Sequence, residues 1–176
     1  MASMNLRDLQ EPIKRRYEEE PDAAQITMTV RSAPSDLSDP LHCAIAPDAV
    51  PGLTWRSGAH PGVGGAGDVA CSGDLLMGAL AACQEVTLRM VAAAMSIELE
   101  AVDVEVSGRA DLRGTLAMSR EVPVGVTGIT CTTRVKVKEG TNPDRARRLL
   151  ENAERYCVVL NTLRGGVPVE SDFRLE

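Results

Sequence analysis

The sequence has few aromatic residues, few histidines and fewer basic than acidic residues, and each shortage argues against a class of function. Phe, Trp and Tyr make up 2% of the 176 residues, only two histidines are present, and the formal net charge is −6. Nucleic acids bind through clustered Lys and Arg and through aromatic side chains that stack on bases, so no nucleic-acid partner is expected. Two histidines are too few for a histidine-rich metal site, and neither a metal nor another cofactor is expected.

Long apolar runs and paired cysteine motifs are also absent. The longest apolar segment, residues 73–95, is interrupted by Asp74, Gln84, Glu85 and Arg89. It therefore predicts a buried helix and no membrane contact. The amino terminus lacks the basic stretch and apolar core of a secretory signal, so we expect a cytoplasmic protein. The five cysteines form no CxxC pair, which argues against both a secreted disulfide framework and a zinc site.

The first part of the chain is polar and carries charges of both signs. Residues 5–20 predict an amphipathic helix that Pro12 interrupts, lying on the surface or on a partner. The length of the remaining chain suits one ordinary domain. We therefore predict an N-terminal helical extension over residues 1–24 and a single domain over residues 25–176.

A short antiparallel strand pair and a glycine-rich loop follow this extension. Residues 26–31 and 41–45 are alternating and β-branched, and turn-forming residues separate them. Residues 60–68 hold too many glycines for a regular element and predict a loop. A phosphate-binding loop would end in Gly-Lys-Ser or Gly-Lys-Thr, whereas this one ends in Gly67-Asp68, whose carboxylate would repel phosphate. The loop is instead interpreted as a flap that borders a site.

The second half of the chain predicts two further strands, two long helices and a final edge strand. Ser72 is a suitable N-cap and Asp74 suits the first turn of a helix that is apolar on nearly all sides. We expect protein to surround this helix on most sides. The elements predicted after it are strands at 98–110 and 121–138, a helix that Asn142 caps, and a strand at 167–175 placed at an edge by Pro168.

Cys83 and Cys157 lie in matched surroundings, each late in a segment with helical spacing. Two helices could bring these thiols together across a core, which makes redox thiol chemistry the first functional hypothesis. Cys43 and Cys131 lie on predicted strands and are interpreted as small buried apolar residues. Cys71 is excluded as a disulfide partner of Cys83, because twelve helical residues at roughly 1.5 Å each place them more than about 15 Å apart.

Cys83 needs a source of activation if it is to act as a nucleophile. It lies about three turns into its helix, too far from the N-terminus to gain much from the helix dipole. Apolar surroundings raise the pKa of a thiol, so a nearby guanidinium or a set of hydrogen-bond donors is required. Arg56, before the glycine-rich loop, and Arg164, after the second cysteine, are the candidates.

The order of elements and the two cysteine segments resemble the osmotically inducible protein C and organic hydroperoxide resistance (OsmC/Ohr) family over residues 25–175. The segments that carry the resemblance are Asp74-Leu75-Leu76 through Ala81-Ala82-Cys83, and Glu154-Arg155-Tyr156-Cys157 with Asn161-Thr162-Leu163. The resemblance implies an α+β fold in which antiparallel sheets wrap around central cysteine-bearing helices. It also implies an intertwined homodimer with its site between the subunits.

The resemblance further implies a thiol-dependent peroxidase. Cys83 would be the thiol that attacks an organic hydroperoxide, Cys157 the thiol that closes a disulfide, and a dithiol reductant would restore both. Active members carry a glutamate, which orients an arginine, at the position occupied here by Gly73. Asp74, one residue later, is the substitute implied here, with Arg56 as the candidate arginine. Val158 replaces the proline that often follows the second cysteine.

Two other functions remain open at this point. The chain could be a binding protein that holds a small apolar or electrophilic ligand in the cleft between subunits, with Cys83 unreactive or merely scavenging. It could also be an accessory dimer whose N-terminal helix contacts a protein partner. Loss of both thiols after hydroperoxide addition would favour the peroxidase over either alternative.

Overall fold

The computed structural model describes residues 6–175 and divides the chain into two compact units. The first unit comprises Met1–Gly78 and Val106–Thr130, and the second comprises Ala79–Glu105 and Cys131–Glu176. Helices and antiparallel strands alternate along the chain, which confirms the predicted α+β fold class. Residues 1–5 of the predicted N-terminal extension lie outside the described residues.

Helix α1 spans Leu6–Glu19 and continues through Pro12. The prediction that Pro12 interrupts this helix was therefore wrong. Proline removes one backbone donor, but its fixed φ is that of a helix, so the remaining hydrogen bonds can carry the helix past it. None of the residues of α1 is buried. A single turn of 3-10 helix, Pro21–Ala24, follows.

The first unit contains a three-stranded antiparallel sheet in the order β1, β2, β3. These strands are Val30–Ala33, His42–Pro47 and Trp55–Gly58. The pairing of β1 with β2 confirms the predicted strand pair, with Val30 opposite Pro47. The first strand begins four residues later than predicted. The apolar residues just before it are exposed, and the pairing with β2 starts only at Val30.

A glycine-rich loop follows β3, as predicted, and includes one turn of 3-10 helix at Pro61–Val63. Two of its glycines are required by the backbone. Gly64 has a φ of +99°, which side chains other than that of glycine rarely adopt. A Cβ on Gly65 would lie 1.7 Å from the carbonyl oxygen of Ala59. The loop therefore folds back on itself too tightly for any larger residue at this position.

Helix α2 spans Ser72–Ala94, as predicted, but its N-cap is Cys71 and not Ser72. The carbonyl of Cys71 accepts the first helical hydrogen bond, from the amide of Leu75 at 3.0 Å. The amide of Cys71 in turn donates to a carboxylate oxygen of Asp74 at 2.9 Å. This contact is the carboxylate half of a capping box, which satisfies a backbone donor that the helix itself leaves unpaired.

Only one stripe of α2 is buried, so the prediction that protein surrounds this helix on most sides is wrong for the single chain. The buried residues recur every four positions: Leu80, Gln84, Leu88 and Ala92. Apolar residues elsewhere on the helix, including Val86 and Met90, are exposed. The helix has the length and hydropathy of a membrane span, with a mean hydropathy of 1.4, but the core helix of a soluble protein passes the same test.

Strands β4 and β5 span Leu99–Ala110 and Val126–Val137 and form a two-stranded sheet. Both were predicted, although β5 begins five residues later than expected. A four-residue helix, α3 at Leu112–Thr115, lies between them. Ion pairs across the exposed face join Arg134 with Asp103, Lys136 with Glu100, and Lys138 with Glu98. The partners step in opposite directions along the two strands, as antiparallel pairing requires.

Helix α4 spans Pro143–Tyr156 and helix α5 spans Val158–Gly165. The side chain of Asn142 accepts hydrogen bonds from two amides of the first turn of α4, which is the predicted cap. The predicted last strand is absent from the described chain, where residues 167–175 form no regular element. A strand needs an edge to pair with, and Phe173 in this segment is 95% exposed.

The core of the second unit lies between α2, α4 and the inner faces of β4 and β5. Its buried members are Leu88, Ala92, Ile97, Leu149 and Ala153. Val135 and Val137 of β5 pack against this cluster, as their alternation along the strand requires.

Two adjacent leucines of α4 test this core. Leu149 is 0% exposed and Leu150 is 48% exposed. Leu149→Ala leaves a cavity and is expected to lower the free energy of unfolding by about 3 kcal/mol. The matched control Leu150→Ala is expected to change it by less than about 1 kcal/mol. Denaturant unfolding followed by circular dichroism measures both, and equal losses in the two variants would contradict this description of the core.

Candidate active site

The side chains of Cys83 and Cys157 lie close enough within the second unit for each to shift the pKa of the other. Cys83 projects from α2 and is partly exposed, whereas Cys157 is fully buried. Both sulfurs are free thiols. The structure thus brings together the two cysteines singled out by the sequence, one reachable from solvent and the other enclosed.

Cys157 lies at a break between two helices and not within one, contrary to its predicted place in a helical segment. Helix α4 ends at Tyr156 and α5 begins at Val158. Cys157 itself has φ −72° and ψ 105°, an extended conformation that ends one helix and precedes the next. The break places the free amides of the first turn of α5 beside the two sulfurs.

Four hydrogen-bond donors converge on the sulfur of Cys83. They are the backbone amides of Val159 and Val158, the thiol of Cys157, and the hydroxyl of Thr87, whose oxygen lies 4.0 Å from the sulfur. Burial raises the pKa of the Cys83 thiol, but the four donors together outweigh burial, so that the pKa is lowered. Two of them are amides at a helix N-terminus, where a negative charge is stabilised.

Cys157 is shifted in the opposite direction. Burial raises the pKa of Cys157, and the hydrogen bond to Cys83 and the charges of Cys83 and Cys131 raise it further, while the amide of Leu160 lowers it by less. Cys83 therefore ionises first, and Cys157 keeps its proton and donates it to the neighbouring sulfur. One nucleophile and one proton donor in contact are the elements of a two-step thiol reaction.

The lowered pKa of Cys83 predicts a distinct pH profile of alkylation. The thiolate is present above the pKa and lost as the pH falls through it, so Cys83 should keep a larger fraction of its pH 9 rate at pH 7 than Cys43 does. Cys43 is an exposed cysteine of β2 and serves as the internal control. Mass spectrometry after brief iodoacetamide treatment measures both rates, and superimposable profiles would contradict the prediction.

Asp74 and Arg56, the predicted acid and arginine, both lie in the first unit. The carboxylate of Asp74 caps α2, and hydrogen bonds from the amide and the thiol of Cys71 lower the pKa of Asp74. Arg56 is exposed on β3, and its charge acts on Asp68. Within residues 6–175, no ion pair joins Arg56 to Asp74. Their catalytic roles remain predictions.

The remaining candidate cation, Arg164, is held by an acidic side chain. A guanidinium nitrogen of Arg164 lies 2.6 Å from a carboxylate oxygen of Glu154. Among residues 6–175, no group of three or more His, Cys, Asp or Glu side chains could hold a metal ion. Neither candidate arginine is among the described donors around Cys83, which are two backbone amides, a thiol and a hydroxyl.

The sequence did not reveal these amides, and it marked Asn161, which supports them, only as part of the family resemblance. The side-chain amide of Asn161 donates to the carbonyl oxygens of Glu154, Arg155 and Cys157 at 3.3, 3.1 and 2.8 Å. Backbone donors have no letter in a sequence, and no glycine or proline marks the break. The available signal was an asparagine four residues after a cysteine, because asparagine readily bonds the carbonyls of a helix end.

Comparisons with known proteins agree with this architecture. A family model described as "OsmC-like protein" matches residues 65–172. An OsmC-like protein from Mycoplasma pneumoniae is 15% identical, with 81% of this chain and 90% of that chain covered and a TM-score of 0.63. An organic hydroperoxide resistance protein from Legionella pneumophila is 23% identical, with 81% of this chain and 92% of that chain covered and a TM-score of 0.56. Another from Elizabethkingia anophelis is 20% identical, with 81% of this chain and 91% of that chain covered and the same TM-score of 0.56. No curated protein matches the chain. At these identities the structural likeness establishes the fold.

Proposed function

Because the chain belongs to the OsmC-like protein family, we propose that it is a thiol-dependent peroxidase that reduces organic hydroperoxides through Cys83 and Cys157. The observation that carries the proposal is the proximity of two thiols whose pKa values are shifted in opposite directions. Two of the similar structures are named organic hydroperoxide resistance proteins, which supports the same substrate class.

In the first step, the Cys83 thiolate attacks the terminal oxygen of the hydroperoxide. A sulfur–oxygen bond forms, the oxygen–oxygen bond breaks, and the alcohol leaves after taking up a proton. The amides of Val158 and Val159 stabilise the thiolate before attack. The thiol of Cys157 keeps its proton and is the nearest described source of one for the leaving alkoxide.

In the second step, the sulfur of Cys157 attacks the sulfenic acid on Cys83. The sulfur–oxygen bond of the sulfenic acid breaks, a disulfide forms, and the hydroxyl leaves as water with a proton from solvent, so the two electrons that reduced the peroxide come from the two thiols. The proximity of the two side chains favours this closure over a disulfide with a more distant cysteine. An external dithiol then reduces the disulfide by exchange and returns both thiols.

The working unit in this proposal is a cytoplasmic homodimer, with residues 1–24 as an extension of the domain at 25–176. The single chain leaves most of the apolar surface of α2 uncovered. Residues 167–175 likewise carry exposed apolar side chains and pair with no described strand. A second copy that covers these surfaces would bury apolar area at about 25 cal/mol per Å². Asp74 and Arg56 are proposed as the acid and the arginine that assist Cys83 in this dimer.

The test is a mass-spectrometric map of all five cysteines after treatment with one equivalent of cumene hydroperoxide. We expect a disulfide that links Cys83 with Cys157 and loss of two thiols per peroxide consumed. Cys43, which is exposed, and Cys71, which is buried, are the internal controls and should remain reduced. Five reduced thiols after exposure would reject the peroxidase proposal in favour of a binding protein.

A further inference from the structure

The turn between α4 and α5 is held by one side chain. The last carbonyls of a helix have no partners within it. Here the side-chain nitrogen of Asn161 lies within 3.3 Å of three carbonyl oxygens, those of Glu154, Arg155 and Cys157, which share its two N–H donors. The backbone amide of Asn161 also donates to the carbonyl of Cys157, at 3.1 Å. Asn161 thus satisfies the end of one helix from within the next.

Besides the buried side chain of Cys157, few contacts fix this turn. The side chains on either side of Cys157, those of Tyr156 and Val158, are exposed. The other described tie between the two helices is the ion pair of Arg164 with Glu154. Both partners of that pair are more than half exposed, and exposed ion pairs contribute little to stability. Among the described residues, the hydrogen bonds of Asn161 are therefore the main polar contacts that hold the conformation at Cys157.

We propose that Asn161 is a positioning residue for the thiol reaction. Its side-chain amide holds the α4–α5 turn so that the backbone amides of Val158 and Val159 face the sulfur of Cys83. The inference rests on the proposed function in taking Cys83 as the nucleophile. Without the Asn161 donors, the carbonyls at the end of α4 would seek other partners, and the turn would lose the extended conformation that aims α5 at the sulfur.

Asn161→Leu tests this role, because leucine has a similar volume and no donor. The rate of Cys83 alkylation is measured against pH, and the profile of the variant should move to higher pH. At pH 6.5 the rate should fall on the order of tenfold, since hydrogen bonds to a charged group are lost. The matched control is Asn152→Leu, on α4, whose amide contacts only the sulfur of Met95 at 3.9 Å. Its profile should follow that of the unmodified chain.

An unchanged alkylation profile in a folded Asn161→Leu variant would overturn the proposal. Should that variant fail to fold, Asn161→Ser retains a short donor that cannot reach three carbonyls, and its profile should move in the same direction. An unmoved profile there would be equally decisive. Alkylation uses no hydroperoxide, so a chain that shows the shift but lacks peroxidase activity would reject the proposed function and not this inference.

A different observation, in the first unit, carries a second inference. The ring of His42 lies between two carboxylates, with Nδ1 2.7 Å from Asp39 and Nε2 3.0 Å from Asp68. Asp39 precedes β2, and Asp68 lies near the end of the glycine-rich loop. Only a protonated imidazole has N–H donors on both nitrogens, so only the cation can bond both carboxylates at once.

The charges around the ring favour this cation. Asp68 and Asp39 face it directly, Asp36 lies beside Asp39, and Arg56 of β3 acts on Asp68. The hydrogen bonds with Asp68 and then with Asp39 raise the pKa of His42, while burial lowers it by less. The side chain is 26% exposed, so protons can reach the ring.

Backbone hydrogen bonds fix the two ends of the glycine-rich loop but not its later part. The amide of Ala59 donates to the carbonyl of Leu41, and the amide of Gly58 and the hydroxyl of Ser57 donate to the carbonyl of Ala70.

We infer that His42 is a protonation-dependent latch on this loop. The cation holds Asp68, and the neutral ring, which has one donor, releases either Asp68 or Asp39. The hold is complete at low pH and is lost as the pH rises through the pKa of His42.

Hydrogen exchange of the amides of residues 60–70 measures how often the loop opens when His42 no longer holds Asp68. After correction for intrinsic exchange, opening should increase about threefold from pH 6 to pH 8.5 in the unmodified chain. It should not respond to pH in Asp68→Asn. The matched control is Asp48→Asn, which removes an ion pair with Arg31 in the same sheet and should keep the response.

Proton NMR gives an independent readout, because the chain has only two histidines. The pKa of His42 should fall in Asp68→Asn, because the hydrogen bond with Asp68 is the largest cause that raises it. An equal pH response of loop exchange in the unmodified chain and in Asp68→Asn would overturn the latch. So would an unmoved titration of His42 in that variant.

Discussion

Replacing Cys83 with serine is expected to reduce hydroperoxide turnover by on the order of a thousandfold or more. The serine hydroxyl would occupy nearly the same place but would not ionise near neutral pH, so the amides of Val158 and Val159 would have no anion to stabilise. Oxygen also has no counterpart of the sulfenic acid, so the chemistry cannot begin. Residual peroxide, measured during incubation with a dithiol reductant, gives the rate.

Cys43→Ser is the control for this loss. Cys43 is an exposed cysteine on β2, so its replacement tests whether any solvent-accessible thiol suffices. We expect this variant to keep full activity. A Cys83→Ser protein that retained more than a tenth of the rate would show that another group attacks the peroxide, and the assignment of Cys83 would have to be withdrawn.

Replacing Cys157 with serine is expected to separate the two steps of the reaction. The serine hydroxyl can still donate a hydrogen bond to the sulfur of Cys83, so the first turnover should proceed within about tenfold of the normal rate. No sulfur is then in contact to close the disulfide. Sulfenic acid should accumulate on Cys83 and pass to sulfinic acid in excess peroxide, and sustained turnover should be lost.

A rapid-quench experiment with a sulfenic-acid trap and mass spectrometry measures this separation. The trapped adduct should appear on Cys83 in Cys157→Ser and be scarce in the unmodified chain. Cys131→Ser is the matched control, because Cys131 acts on Cys157 only through its charge and should not be needed for the disulfide. If Cys157→Ser instead formed a disulfide from Cys83 to Cys131 at the normal rate, Cys157 would not be the required partner.

Periodic patterns predicted the long elements well. The apolar run after Cys71 and the asparagine–proline start at Asn142 each marked a helix that the structure contains. The alternation along β4 likewise marked a strand with one wet face. Each of these signals is local, because side chains a few residues apart on one element decide which face is buried.

Features that depend on distant partners were predicted poorly. Residues 167–175 have the composition of a strand, but composition cannot supply the edge with which a strand must pair. Pro12 was expected to interrupt a helix, yet its ring is compatible with helical φ. For α2, the sequence shows how much apolar surface must be covered but not which chain covers it.

The sequence likewise predicted some features of the candidate site and not others. Its two sulfurs were visible in the sequence because cysteine is rare and chemically distinctive. The donors that favour the thiolate are mostly backbone groups, and their direction depends on ψ at Cys157. Arginine was sought because it is the usual visible source of positive charge, whereas here a helix N-terminus supplies the partial charge. A local break in a helix thus has more effect on this chemistry than any described cationic side chain.

The position of Cys157 between two helices also has a mechanical consequence. Closing a disulfide brings two sulfurs to about 2.05 Å, which a cysteine locked inside a rigid helix could reach only by distorting several turns. At a junction, rotation about the φ and ψ of a single residue can absorb the displacement. Repeated cycles of oxidation and reduction would then leave the backbone hydrogen bonds of both flanking helices intact. The stability of the fold would therefore not fall with each turnover.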